Sequence, residues 1–151
     1  MITLMPSTSS ILDSTAKILV VPVNCKGVMG GGVAKLFREK FKHNYVEYRD
    51  ICLESNLTLG AVFACDDGDK IIFNAATKNH WRDDSSIDVV EKCLYNIRRG
   101  LEMYPNAESI AIPALGCGLG GLDWKDVEPL ITEFADSVNI DVEIYSPHEQ
   151  F

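Results

Sequence analysis

Residues 17–32 decide the fold, and they read Lys17-Ile18-Leu19-Val20-Val21-Pro22-Val23 followed by Asn24-Cys25-Lys26-Gly27-Val28-Met29-Gly30-Gly31-Gly32. The first part is a β-branched apolar run of strand length, which is typical of a strand buried on both faces of a sheet. The second part is a glycine-rich loop, and the apolar stripe after it predicts an amphipathic helix over 32–41. A buried strand, a glycine loop and a helix in this order indicate an α/β protein.

The rest of the chain continues the alternation of strands and helices. We predict further strands over 61–65, 70–74, 109–114 and 141–145, and further helices over 44–54, 86–104 and 126–137. The Asp/Gly turn between the first two of these strands predicts a hairpin. Ser85 and Asp88 are predicted to start the 86–104 helix as a capping box, and Pro129 is expected in the first turn of the last helix.

Length and composition indicate one ordinary globular domain over residues 1–151. The chain is 46% hydrophobic and 24% charged, so it can form a core and is unlike a disordered protein. It has no apolar run of the roughly 18 residues that a membrane span needs, and its first residues do not resemble a signal peptide. We therefore expect a cytoplasmic protein, without membrane partners and monomeric.

The net charge of −8 is unevenly distributed. Residues 1–60 carry seven basic and five acidic side chains, whereas residues 61–151 carry seven and seventeen. This balance argues against strong general affinity for nucleic acid. Four basic residues are clustered within eight positions: Lys35, Arg38, Lys40 and Lys42. They form either a local basic face that binds a ligand or an ordinary solvated helix surface.

The cysteines and histidines give no metal-binding spacing. Five cysteines are spread along the chain without a CxxC pair, and the three histidines, His43, His80 and His148, are equally scattered. Zinc sites and disulfide frameworks both need closer or paired spacing. We therefore expect reduced thiols, no metal and no cofactor.

Two glycine-rich segments carry the functional signal: loop 1 (residues 24–32) and loop 2 (residues 116–121). Both follow a predicted strand and precede a helix, where backbone N–H groups and the helix N-terminus favour an anion. Two such loops in one small α/β domain predict a phosphate-containing ligand at the carboxyl ends of the strands.

Other phosphate-site families fit loop 2 less well. Its GxGxxG spacing leaves only 30 residues for the rest of a dinucleotide-binding sheet, and Leu122 stands where a P-loop needs lysine. A cysteine phosphatase would need arginine at Asp123, and a carboxylate there raises the pKa of Cys117 instead of lowering it. We therefore interpret Cys117 as a packing residue of the loop.

Three motifs resemble those of macrodomains, the ADP-ribose-binding family. Asn24-x-x-Gly27-x-Met29-Gly30-x-Gly32-Val33-Ala34 resembles the first ligand loop, and the 112–124 segment around Gly116-Cys117-Gly118-Leu119-Gly120 resembles the second. Thr77-Lys78-x-His80-Trp81-Arg82 resembles the segment that carries the catalytic lysine in the branch of DarG-type DNA ADP-ribosyl glycohydrolases and the terminal ADP-ribose protein glycohydrolase.

The resemblance implies a three-layer α/β/α fold with a mixed central sheet and ADP-ribose along its edge. Asn24 would contact the distal ribose, the two loops would surround the diphosphate and distal ribose, and Ser10 and Ile11 would lie beside adenine. The implied ADP-ribose-binding residues are Ser10, Ile11, Asn24, Met29, Gly30, Gly31, Gly32, Val33, Ala34, Thr77, Leu115, Gly116, Cys117, Gly118, Leu119 and Gly120. Lys78 would be the catalytic residue.

The resemblance also implies an activity. Gly120 occupies the position of the catalytic aspartate of the protein-directed enzyme, which favours hydrolysis of ADP-ribose from a base in DNA. An ADP-ribose-1″-phosphate phosphatase and a non-catalytic reader of ADP-ribosylation remain alternatives. Lys78 could attack C1″, move a proton or only neutralise phosphate. Trp81 and Trp124 could each stack on a base or pack at the rim of the site.

Overall fold

The computed structural model describes residues 1–147, which form a six-stranded sheet between two pairs of helices. In chain order the strands are β1 (Ile2–Met5), β2 (Ile18–Asn24), β3 (Val62–Asp66), β4 (Ile71–Lys78), β5 (Ser109–Ile112) and β6 (Asp141–Tyr145). Their order across the sheet is β1-β6-β5-β2-β4-β3. All pairs are parallel except β3 with β4, so the mixed sheet and the hairpin are confirmed.

The helices cover both faces of this sheet. They are α1 (Gly32–Lys40), α2 (Lys42–Leu53), α3 (Ile87–Leu101) and α4 (Trp124–Asp136). Alternate residues of β2 point to opposite faces: Ile18 and Val20 pack with α3 and α4, whereas Leu19 and Val21 pack with α1 and α2. Because both faces are apolar and covered, the three-layer α/β/α architecture is confirmed.

Strand β1 was not predicted from the sequence. Three of its four residues are exposed, so the stretch has no buried periodicity to indicate a strand. It forms because Ile2 to Met5 pair in parallel with Val142 to Tyr145 of β6. The N-terminal amine lies 3.0 Å from an Asp141 carboxylate oxygen at the start of this pairing.

Two local predictions about helices are wrong. Helix α4 begins at Trp124, so Pro129 is its sixth residue and not in its first turn. Proline has no N–H to donate to the Lys125 carbonyl four residues earlier. Because Pro129 and Lys125 are both exposed, water can hydrate this carbonyl. Helix α3 is capped by Ser86, whose Oγ accepts a hydrogen bond from the Val89 N–H at 3.3 Å, and not by Ser85.

The described residues contain no helix long and apolar enough to cross a bilayer. All five cysteines are free thiols, as expected. The cytoplasmic location and the monomeric state stay predictions.

Candidate active site

Three segments leave the same edge of the sheet side by side. Loop 1 follows β2, residues 79–85 follow β4, and loop 2 comes shortly after β5; these three strands are parallel neighbours. Asn24 and Lys78 are register partners at the ends of β2 and β4. The Cys25 N–H also donates to the Lys78 and Asn79 carbonyls, at 3.1 and 3.0 Å. The topology therefore brings Asn24, Lys78 and both glycine loops to one edge.

Asn24 organises loop 1 through its side chain. Its Nδ2 donates to the Val28 carbonyl at 2.7 Å, and its Oδ1 accepts from the N–H groups of Lys26 and Val28 at 3.0 and 3.3 Å. The residue is only 5% exposed. Since Oδ1 is engaged within the loop, Nδ2 has the one hydrogen left for a ligand.

Tyr48, on α2, holds Asn24 in place by hydrogen bonding. The sequence analysis did not identify it as a site residue. Its hydroxyl donates to the Asn24 carbonyl at 2.6 Å and lies 3.1 Å from Asn24 Oδ1. Burial raises the pKa of Tyr48 far above its usual value, so the hydroxyl stays a donor. In the sequence, Tyr48 lies on the apolar stripe of the predicted helix over 44–54, and that position indicated only core packing.

The exposed glycines of loop 1 face loop 2. Gly30 and Gly32 are exposed, and a Cβ added to Gly31 would lie 3.4 Å from Leu119 Cδ1. Leu119 itself is 70% exposed. Val33 and Ala34, half-buried, begin α1 behind these glycines. The two loops are therefore close enough to contact one ligand from both sides.

Three implied ligand residues have their side chains in the core. Met29, Leu115 and Ile11 are 1%, 0% and 4% exposed. Only their backbone groups can therefore make polar contacts with a ligand. Ser10, next to Ile11, uses its Oγ to accept from the Leu12 N–H at 3.3 Å, which caps a 3₁₀ turn.

Loop 2 has a conformation that requires glycine. Gly116 has φ +77°, and a Cβ there would lie 2.6 Å from Leu122 Cδ1. A 3₁₀ turn at Gly118–Gly120 follows. Burial, and then the nearby Asp123 carboxylate, raise the pKa of Cys117 to about 11, so this thiol is not an activated nucleophile.

Ser85 joins loop 2 to the strand that carries Lys78. Its Oγ donates to the Thr77 carbonyl at 2.9 Å, and its N–H donates to the Gly120 carbonyl at 2.8 Å. A Cβ at Gly120 would lie 3.0 Å from Ser85 Oγ. Ser85 is thus a second residue that the sequence analysis misjudged, because its partners are distant in sequence.

Lys78 is half-buried at the end of β4, and its Nζ donates to the Trp81 carbonyl at 2.8 Å. Thr77, before it, is buried. Trp81 lies in a tight segment that we call the aromatic turn (residues 79–83). Trp124, by contrast, packs against the core cluster on the α3–α4 side of the sheet.

The basic cluster is partly engaged within the fold. Lys40 Nζ donates to the Leu12 carbonyl at 2.6 Å, and the Arg38 guanidinium carbon lies 6.0 Å from the Tyr45 ring centroid. Lys35 and Lys42 are exposed. Across residues 1–147, no three histidine, cysteine or acidic side chains are grouped as metal ligands; His148 lies outside this range.

A sequence profile of the Macro domain family matches residues 20–131, which contain both loops and Lys78. The chain belongs to the macrodomain family. Its fold is that of the macrodomain of Mycobacterium tuberculosis DarG, with a TM-score of 0.92, 35% identity, and coverage of 97% of this chain and 98% of that one.

This macrodomain is also similar to longer proteins. It is 37% identical over 142 residues to a DNA ADP-ribosyl glycohydrolase of Mycobacterium tuberculosis, covering 91% of this chain and 40% of that protein. The structure of Thermosipho africanus DarTG in complex with ADP-ribose matches 93% of this chain and 40% of its own, with 33% identity and a TM-score of 0.84. This chain thus spans about 40% of the length of the curated DNA ADP-ribosyl glycohydrolases it matches.

Proposed function

We propose that this macrodomain binds ADP-ribose and hydrolyses the bond between its distal ribose and a base in DNA. The observation that carries the proposal is the placement of Lys78 beside Asn24, at the sheet edge from which both glycine loops also leave. The names of the relatives, DNA ADP-ribosyl glycohydrolases, and the ADP-ribose complex of one structural neighbour support it.

Each part of the site has a role in this proposal. Backbone N–H groups of loops 1 and 2 and the N-terminus of α1 hold the diphosphate, because such groups stabilise negative charge without a charged side chain. The free hydrogen of Asn24 Nδ2 donates to a hydroxyl of the distal ribose. The adenine lies along the backbone of the Ser10–Ile11 turn, because the Ile11 side chain is in the core.

Lys78 acts at C1″ of the distal ribose. The C1″–N bond to the base breaks through a state with positive charge on the ribose, and water adds to C1″ to release free ADP-ribose. Lys78 either attacks C1″ to form an intermediate that water then resolves, or transfers a proton to the departing base.

Gly120 supports a DNA-directed enzyme over a protein-directed one. The protein-directed branch has a catalytic aspartate at the matching position. Here the space that a Cβ would enter is taken by Ser85, whose Oγ would be 3.0 Å away. An aspartate at position 120 would therefore require Ser85 to shift by a few tenths of an ångström.

A turnover panel tests the proposal. We expect release of ADP-ribose from ADP-ribosylated DNA, with slower or no release from ADP-ribosylated protein and from ADP-ribose-1″-phosphate. Lys78→Ala should lower turnover on the order of 10²-fold or more, the usual contribution of a nucleophile or acid–base group. Lys78→Arg should be equally inactive, because guanidinium keeps the charge but does not release its proton.

The matched control is Lys92→Ala, which removes an exposed lysine from α3. Both Lys78 variants should still bind ADP-ribose in calorimetry, since the loops supply the phosphate contacts. Normal turnover by Lys78→Arg would show that Lys78 only neutralises the charge of the phosphates. Turnover of ADP-ribose-1″-phosphate alone would make the protein a phosphatase, and binding without any turnover would make it a reader.

A further inference from the structure

The aromatic turn presents the most exposed tryptophan of the chain beside the catalytic lysine. Trp81 is 46% exposed, whereas Trp124 packs on the core. Exposing a large aromatic ring to water is unfavourable, and packing of the core does not require the Trp81 ring at this position. Exposed aromatic rings next to a polar cleft are typical of surfaces that stack on a planar ligand group.

The turn holds this ring in a fixed place. The His80 and Trp81 rings stack with their centroids 3.8 Å apart and an interplanar angle of 27°. The His80 N–H donates to Asp83 Oδ2, the Asp83 N–H to the His80 carbonyl, and the Arg82 N–H to His80 Nδ1, at 3.0, 3.0 and 3.1 Å. Because the stack is formed in advance, binding a third ring to it costs little conformational entropy.

The location of the turn suits a group attached to C1″. Lys78 Nζ lies 2.8 Å from the Trp81 carbonyl oxygen, so the two residues are in direct contact. If Lys78 acts at C1″, as the proposed function states, the base bonded to C1″ is within a few bond lengths of Nζ. That base therefore lies in the neighbourhood of the Trp81 ring.

Charge around the turn favours stacking over a grip on phosphates. The Arg82 guanidinium carbon lies 5.8 Å from the Trp81 ring centroid, but Asp83 and Asp84 follow it directly and are also exposed. Counted together with Lys78, the two cations and the two carboxylates balance. A net positive surface for a DNA backbone is therefore absent from this turn.

We propose that the His80–Trp81 stack is a platform for the nucleobase that carries the ADP-ribose. This inference rests on the proposed function for the position of C1″.

The test compares Trp81→Ala, Trp81→Phe and wild type on an ADP-ribosylated single-stranded oligonucleotide. Trp81→Ala leaves intact the backbone carbonyl that accepts from Lys78. We expect it to raise KM by roughly 5- to 150-fold, the range for loss of one base–aromatic stack. The value of kcat should stay within about twofold, the affinity for free ADP-ribose should not change, and Trp81→Phe should restore most of the KM.

The control is Tyr95→Ala, which removes a ring that is 61% exposed on α3 and should leave every parameter unchanged. An unchanged KM in Trp81→Ala overturns the platform. So does a parallel loss of ADP-ribose affinity, which would show that Trp81 only supports the fold of the site.

A separate binding measurement distinguishes failure of the platform from failure of the proposed function. In a Lys78→Arg background, the ADP-ribosylated oligonucleotide should bind more tightly than ADP-ribose, and Trp81→Ala should remove that difference. If wild type does not hydrolyse the oligonucleotide but this difference is present, the hydrolase proposal fails and the platform stands. If the difference is absent, or persists in Trp81→Ala, the platform fails whether or not the protein is a hydrolase.

Discussion

Hydrogen bonds made by single residues fix the side chain of Asn24, the residue that we propose for the distal ribose. Asn24 could point its amide either way, but two donors within the fold, the N–H groups of Lys26 and Val28, fix the position of its Oδ1. Its Nδ2 thereby donates to the Val28 carbonyl and keeps one hydrogen for a ligand. Because this donor is already fixed, binding a ligand does not cost the conformational entropy of ordering it.

Position 32 offers the sharpest test of the diphosphate cradle. We expect wild type to bind ADP-ribose with micromolar affinity, roughly −8 kcal/mol, and AMP much more weakly. Gly32→Glu should abolish binding in calorimetry, because it places bulk and negative charge at the exposed end of loop 1, where the diphosphate belongs.

Gly68→Glu is the matched control for Gly32→Glu. Both glycines have positive φ, +57° at Gly32 and +88° at Gly68, so both substitutions introduce backbone strain and one negative charge. Gly68 lies in the β3–β4 turn with no atom within 4 Å of an added Cβ. Equal loss of ADP-ribose affinity in the two variants would show that strain, and not the ligand site, is responsible.

Among the elements, the junction between β4, α3 and loop 2 decides how the site is assembled. Ser85 and Ser86 are adjacent, yet one links loop 2 to β4 and the other caps α3. The Ser85 hydroxyl donates to the Thr77 carbonyl, whereas the Ser86 hydroxyl accepts from the Val89 N–H.

This junction allows a paired experiment on neighbouring serines. Ser85→Ala and Ser86→Ala should both lower the free energy of unfolding, by about 0.5 to 3 kcal/mol each, through a lost buried hydrogen bond and a lost cap respectively. Only Ser85→Ala should also lower ADP-ribose affinity and turnover, because only Ser85 fixes loop 2 relative to Lys78.

Urea unfolding would measure the first effect and calorimetry the second. A Ser85→Ala protein that is destabilised but binds ADP-ribose like wild type would show that loop 2 keeps its position without this bond. The Ser85 N–H would then be sufficient, through the Gly120 carbonyl.

Across the whole molecule, buried thiols set how the fold responds to alkaline pH. Burial raises the pKa of Cys93 to about 12, and burial together with nearby carboxylates raises those of Cys65 and Cys117 to about 11. The folded state thus favours the neutral thiol. Its advantage is complete below the unfolded pKa, near 9, and is lost as pH rises from there towards the folded values.

We therefore expect the free energy of unfolding to fall between pH 8 and pH 10 in reducing buffer. At pH 10 the fully buried Cys93 alone should account for about 1.4 kcal/mol of the loss, one pKa unit of differential ionisation. Urea unfolding at both pH values measures this, with Cys93→Ala as the comparison. If the variant loses as much stability as wild type over this range, Cys93 is not a source of the dependence.

Much of this macrodomain can be predicted from local sequence. The apolar run of β2, the two glycine loops and the stripe of α3 are set by side chains within a few residues of one another, so their periodicity is visible without a structure. The same holds for Lys78, because its motif is contiguous. Whether each implied residue contacts ADP-ribose stays a prediction.

The tertiary structure decided what depends on distant partners. Strand β1 exists because β6 pairs with it, and Ser85 serves loop 2 because the fold brings Gly120 to it. Tyr48 reaches Asn24 from another helix, and only the packing distinguishes the exposed Trp81 from Trp124. Local sequence patterns specify the helices and strands. The hydrogen-bonding groups and rings that a site presents to a ligand are those that remain free after these elements have packed. Only the assembled fold therefore determines which groups form the site.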